Sequence, residues 1–173
     1  MKHFIIYIIL ILSFGISAFA QQKDTLRFGN YSLVVPLEGL YRSHYKERND
    51  GCSSWIEANY LIKSQLTYGN YNEKVEYKGP SIVCFISSSR QSIDDLLETV
   101  NEGVEQGGIE WAMSFFEDGK QGVRFVQEDK SKCFIFFKEG QIQIGYVNAS
   151  PQFVPRCNTI LKAIEVNSYD RGD

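Results

Sequence analysis

Apolar and polar positions alternate with period two through most of this chain, and a helical period takes over only twice. Residues 25–28 and 31–36 are apolar-rich runs flanking Gly29-Asn30, which predicts a hairpin with a primed turn. Pro36 ends the second run. Residues 37–51 carry Glu38, Arg42, His44, Lys46, Glu47, Arg48 and Asp50 and read as a loop. Between residues 52 and 66, Ile56, Ala58, Tyr60 and Ile62 alternate, which favours a strand. A helix opening at Ser53 or Ser54 is the alternative. Residues 67–72 form a Gly/Asn/Tyr loop in this reading. Residues 74–78 and 81–87 are strands separated by Gly79-Pro80.

The clearest helix spans residues 92–106. Ile93, Leu96, Leu97, Val100 and Val104 make one apolar stripe, Ser92 supplies an N-cap, and Gly107-Gly108 stops it. Ile109, Trp111, Met113 and Phe115 then alternate with Glu110, Ala112 and Ser114, as a half-buried strand requires. Residues 123–127, 132–137 and 142–148 continue a meander. Both faces of the 132–137 run are apolar, which predicts a strand covered on both sides. A second helix is expected over about residues 156–166, with Val154, Cys157, Ile160, Leu161 and Ile164 in its stripe. The polar residues 167–173 read as a flexible tail. The order of elements predicts an α+β domain spanning 21–166, with a single antiparallel sheet and helices packed on it.

The first twenty residues stand outside this pattern. Lys2 and His3 precede an apolar run from Phe4 to Ile16, and Ala18-Phe19-Ala20 has the small residues of a cleavage site. Residues 1–20 therefore read as a secretory signal peptide removed after Ala20. The apolar run is too short to span a bilayer, so no stable membrane insertion is expected after cleavage. The implied location is extracytoplasmic, in the periplasm or secreted. That location changes the meaning of Cys52, Cys84, Cys133 and Cys157. Four cysteines in an oxidising compartment predict two disulfides, in any of three connectivities, with the shorter-range Cys52–Cys84 and Cys133–Cys157 preferred. None lies in a CxxC pair, and His44 is the one histidine beyond the leader, so no metal site or cofactor is expected. A net charge of −3 argues against a nucleic-acid partner.

Two stretches, YSLVVPLEGLY at 31–41 and SIVCFISSSRQSIDDLLETV at 81–100, carry a family likeness. The first is a strand entering a Pro-x-x-Gly-aromatic turn. The second is a strand leading to a helix that opens on a Ser-hydrophobic-acidic step. With the meander and final helix that follow, the order resembles the PsbP-like fold shared by PsbP and DcrB-type envelope proteins. The resemblance implies an α/β sandwich and a non-catalytic accessory, assembly or binding role. It carries over no catalytic residues, and the four cysteines are not part of the family pattern.

Candidate binding residues come from two places. The outer face of the 92–106 helix holds Asp94, Asp95, Glu98, Glu102 and Glu105 with no base. Asp94 and Asp95 suit the positive end of the helix, whereas Glu102 and Glu105 sit at the wrong end of its dipole. Solubility accounts for such a stripe, and a docking face for a basic partner is the functional reading. Tyr68 and Tyr71 lie in Tyr-Gly-Asn-Tyr-Asn, the composition of an adaptable recognition loop. Both point to a protein partner, as for an envelope accessory factor or a toxin-immunity protein. The alternative is an extracytoplasmic hydrolase using carboxylates and His44 in a cleft.

Overall fold

The computed structural model describes residues 22–49, 54–62, 79–89, 92–117 and 120–169. Strands β1 (Lys23–Phe28) and β2 (Tyr31–Pro36) form the expected hairpin, with Gly29 at φ +55° in the first central position of its turn. β3 (Leu40–Asn49), β4 (Ser54–Ile62) and β5 (Ser81–Ser87) follow, then helix α1 (Ile93–Glu105). The meander is β6 (Trp111–Glu117), β7 (Lys120–Gln127), β8 (Lys130–Phe137) and β9 (Ile142–Ala149). Helix α2 (Val154–Ala163) and strand β10 (Glu165–Ser168) end the described chain.

Seven strands make one antiparallel sheet in the order β3-β4-β5-β9-β8-β7-β6, and β1-β2-β10 make a second. Period-two alternation sorts the large sheet into two faces. Ile56, Ala58 and Tyr60 on β4, Ile82, Cys84 and Ile86 on β5, and Ile142, Ile144 and Tyr146 on β9 form one buried face. Leu26, Leu33 and Val35 of the small sheet pack on it, beside Cys157 and Leu161 of α2. The opposite face is covered at the β6–β8 end by α1, whose Val100 joins Val123, Phe125 and Ala112. Phe134 therefore packs under α1 while Cys133 and Ile135 face α2, which is why both faces of β8 are apolar.

A polar pin joins the two sheets. Arg42 on β3 donates two hydrogen bonds to the Asp24 carboxylate, at 3.2 and 3.0 Å, and the Tyr60 hydroxyl donates to the same carboxylate at 2.9 Å. Burial, then Cys84 and the Asp24 contact, push the Tyr60 hydroxyl well above its ordinary pKa.

The architecture corrects the expected α+β layout of one sheet under helices. Ten strands in two antiparallel sheets dominate the described residues, with two short helices. The small sheet occupies the place a covering helix was expected to fill. Residues 37–51, expected as a loop, hold β3, because a charged edge strand can expose its side chains while its backbone pairs with β4. Residues 54–62 are strand rather than helix. The expected tail begins instead as β10: Glu165 to Ser168 pair with Val34 to Tyr31, and the Tyr169 amide donates to the Asn30 carbonyl at 2.7 Å. The second helix correspondingly ends at Ala163. The leader 1–20 and the strand expected at 74–78 lie outside the described residues.

The cysteines also differ from expectation. Cys84, Cys133 and Cys157 are free thiols, all buried in the main core, and Cys52 lies outside the described residues. The expected Cys133–Cys157 bridge is therefore not formed, and Cys84 carries a free thiol. Cys84 packs as a small apolar group between Ala58 and Ile144, and Cys133 lies beside Tyr146.

Candidate functional site

The two ends of the large sheet are β3 and β6, and the chain treats them differently. β6 reads WAMSFFE. Its register with β7 is unbroken from Trp111↔Val126 to Glu117↔Lys120. Alternation puts Trp111, Met113, Phe115 and Glu117 on the α2 side of the sheet and Ala112, Ser114 and Phe116 on the α1 side. Ala112 packs under the helix, but Trp111 is 46% exposed, Met113 48% and Phe116 75%. Among the described residues nothing pairs with the outer edge of β6. Its one charged residue, Glu117, lies at the strand end, 3.5 Å from Arg124.

α1 lies over this end of the sheet. Its N-cap is the one expected: Ser92 Oγ accepts from the amides of Asp94 and Asp95 at 3.1 and 3.3 Å. Asp94, Asp95, Glu98, Glu102 and Glu105 are all exposed, and the last turn holds no base. The five acidic residues share one exposed side of α1, turned away from the stripe that packs on the sheet.

On the other side of β6, Gly122 sits opposite Phe115. A Cβ at Gly122 would overlap the Phe115 ring and crowd the Phe134 carbonyl. The glycine leaves room for the ring against β7, and the Arg124 guanidinium stacks on that ring at 4.3 Å. Burial alone would lower the pKa of Arg124. Its hydrogen bond to Cys133, with Glu117 and Tyr146, holds it above the ordinary value. Burial pushes the Cys133 thiol up, opposed by Arg124, so at neutral pH the thiol is protonated and leaves the guanidinium charge uncancelled.

His44 is exposed on β3, in register with Asn59, and the structure places no carboxylate in hydrogen-bond contact with it among the described residues. Tyr68 and Tyr71 fall outside the described residues. Sequence reasoning places β6 as a strand but not as an edge, because edge position is a property of the sheet order. The signal available was Phe116, an aromatic on the otherwise small and polar side of the run. In comparison with known proteins, the chain matches no family model and no curated protein.

Proposed function

We propose that this protein is a non-catalytic, extracytoplasmic binding domain that takes an extended segment of a partner protein as an added strand along β6. The observation that carries this is the unguarded β6 edge with Trp111, Met113 and Phe116 exposed along it. Edge strands in soluble proteins are normally blunted by charge, proline or bulges, and β6 has none of these in its central positions. Strand addition draws affinity from main-chain hydrogen bonds and specificity from alternate side chains.

The charge pattern specifies the occupant. One set of alternate side chains would lie against Trp111 and Met113 and should be apolar. The other set would lie on the α1 side, where the negative field of the exposed Asp94, Asp95, Glu98, Glu102 and Glu105 on that helix favours Lys or Arg.

The test uses labelled seven-residue peptides alternating Val with Lys or Val with Glu, titrated by fluorescence anisotropy. The Lys peptide should bind at least about tenfold more tightly than the Glu peptide. Methylating alternate peptide amides should abolish binding, and Met113→Lys should weaken it with the circular dichroism spectrum unchanged. Equal binding of both peptides, indifference to amide methylation, or a concentration-dependent dimer through β6 in place of peptide binding would each overturn the reading.

A further inference from the structure

Between the β6–β8 end of the large sheet and α2 lies a cavity of about 190 Å³. Glu117 from β6, Lys120 and Arg124 from β7, Cys133 from β8, and Asn158 and Lys162 from α2 line it. Arg124 is one of its lining residues, held over the Phe115 ring, with its side chain 29% exposed. The neighbouring Glu117 does not fully answer its charge: that carboxylate is 61% exposed and reaches Arg124 Nη2 only at 3.5 Å.

Three cations face one carboxylate here, and the Cys133 thiol adds no negative charge. The excess of about two positive charges matches a phosphate, which carries about −1.5 to −2 near pH 7, better than a single carboxylate. The volume is below the roughly 300–1,000 Å³ of sites that enclose a drug-sized ligand, so the fitting group is compact. Arginine offers a planar fork, lysine a mobile point charge, and the Asn158 amide a neutral donor, which together suit a tetrahedral oxyanion.

We propose that this cavity binds a phosphoryl group, from inorganic phosphate or a small phosphate monoester. It is a separate site from the β6 edge and does not depend on strand addition.

Titration calorimetry of the chain with sodium phosphate, glycerol phosphate and sodium acetate tests it. Phosphate should bind with a dissociation constant of about 1 mM or tighter, and acetate at least about tenfold more weakly. Glycerol phosphate binding more tightly than phosphate assigns the site to a monoester, and the reverse order assigns it to the free ion. Affinity should rise between about pH 5 and pH 7.5 as the phosphate second proton leaves. Lys162→Gln, on an exposed helix position, should weaken binding several-fold without altering the fold, and Arg124→Gln by about tenfold or more. Absence of binding at about 10 mM phosphate, equal affinity for acetate, or full affinity in both variants would overturn the proposal.

Discussion

The two edges of the large sheet solve the same physical problem in opposite ways. β3 runs ten residues, and from Tyr41 to Asn49 every one of them is exposed. It carries Arg42, His44, Lys46, Glu47 and Arg48, and its register with β4 slips between Arg42 and His44. Charge and an irregular register both discourage a further strand from pairing. β6 keeps a straight register and shows Trp111, Met113 and Phe116 to solvent. Unpaired backbone donors and acceptors are a liability wherever they occur, so an edge left open beside one that is guarded is the better candidate for use. The guard at β3 also has structural duties. Arg42 stacks on Tyr45 at 5.4 Å and grips Asp24, and Lys46 lies over Trp55 at the same distance.

The largest expected effect comes from cutting the guarded end away from the small sheet. Asp24→Ala removes the acceptor for both Arg42 and the largely buried Tyr60 hydroxyl, and should cost about 2 kcal/mol or more in urea unfolding. Asp24→Asn, which keeps an acceptor, should recover part of the loss. If Asp24→Ala unfolds like the parent, β3 is held by its backbone ladder with β4 alone.

At the open end, Gly122→Ala should destabilise by about 1–3 kcal/mol, since the new methyl must displace Phe115 or the β8 backbone. The same change should loosen Arg124 and so reduce phosphate affinity, while leaving the Asp24 pin intact. A neutral result would mean that the Phe115 ring is not what positions Arg124.

Alkali should act on both ends through the thiols. Burial pushes Cys157 from its ordinary 9.0 up to about 11, with Arg156 opposing, and raises Cys84 and Cys133 as well. The native state then holds these protons more tightly than the unfolded chain. Their stabilisation is complete below about pH 9 and falls as pH climbs through about 9 to 11, by at most about 1.4 kcal/mol per pH unit for each thiol. Unfolding midpoints at pH 7, 9 and 10.5 check this, and alkylation should reach Cys133 and Cys157, each near an arginine, before Cys84. A midpoint that holds steady to pH 10.5 would contradict it.

The smallest effect on stability, and the most direct on the comparison, is an exchange of guards. Met113→Lys should change stability by less than about 0.5 kcal/mol while weakening capture of the alternating Val/Lys peptide. Lys46→Val with Arg48→Val, which strips charge from the β3 edge, should add a second, weaker capture. Identical peptide binding by all three proteins would show that the edges do not differ in use.

Local pattern made much of this fold legible. The β1–β2 hairpin, the α1 stripe with its Ser92 cap and the β6–β9 meander all depend on neighbours a few residues apart. β3 reads as a loop in sequence because its charges, which line an edge, resemble the charges of a solvated loop. β10 was missed because Glu-Val-Asn-Ser has no apolar alternation, and its partner β2 lies some 130 residues earlier in the chain. The cysteines in sequence point to bridges through the compartment alone, whereas the three described ones are buried free thiols. The acidic face was legible from helical spacing. Arg124 was not, because nothing adjacent in sequence distinguishes it.

What the sequence determined by itself was the alternation within each strand, the polarity of each helix face and the positions of the turns, all set by short-range sterics and side-chain chemistry. What only the tertiary structure decided was which strand became an edge, which face received the small sheet, and which three cations met around one cavity. Those outcomes depend on pairings between distant segments, where many arrangements satisfy the same local pattern and packing selects one.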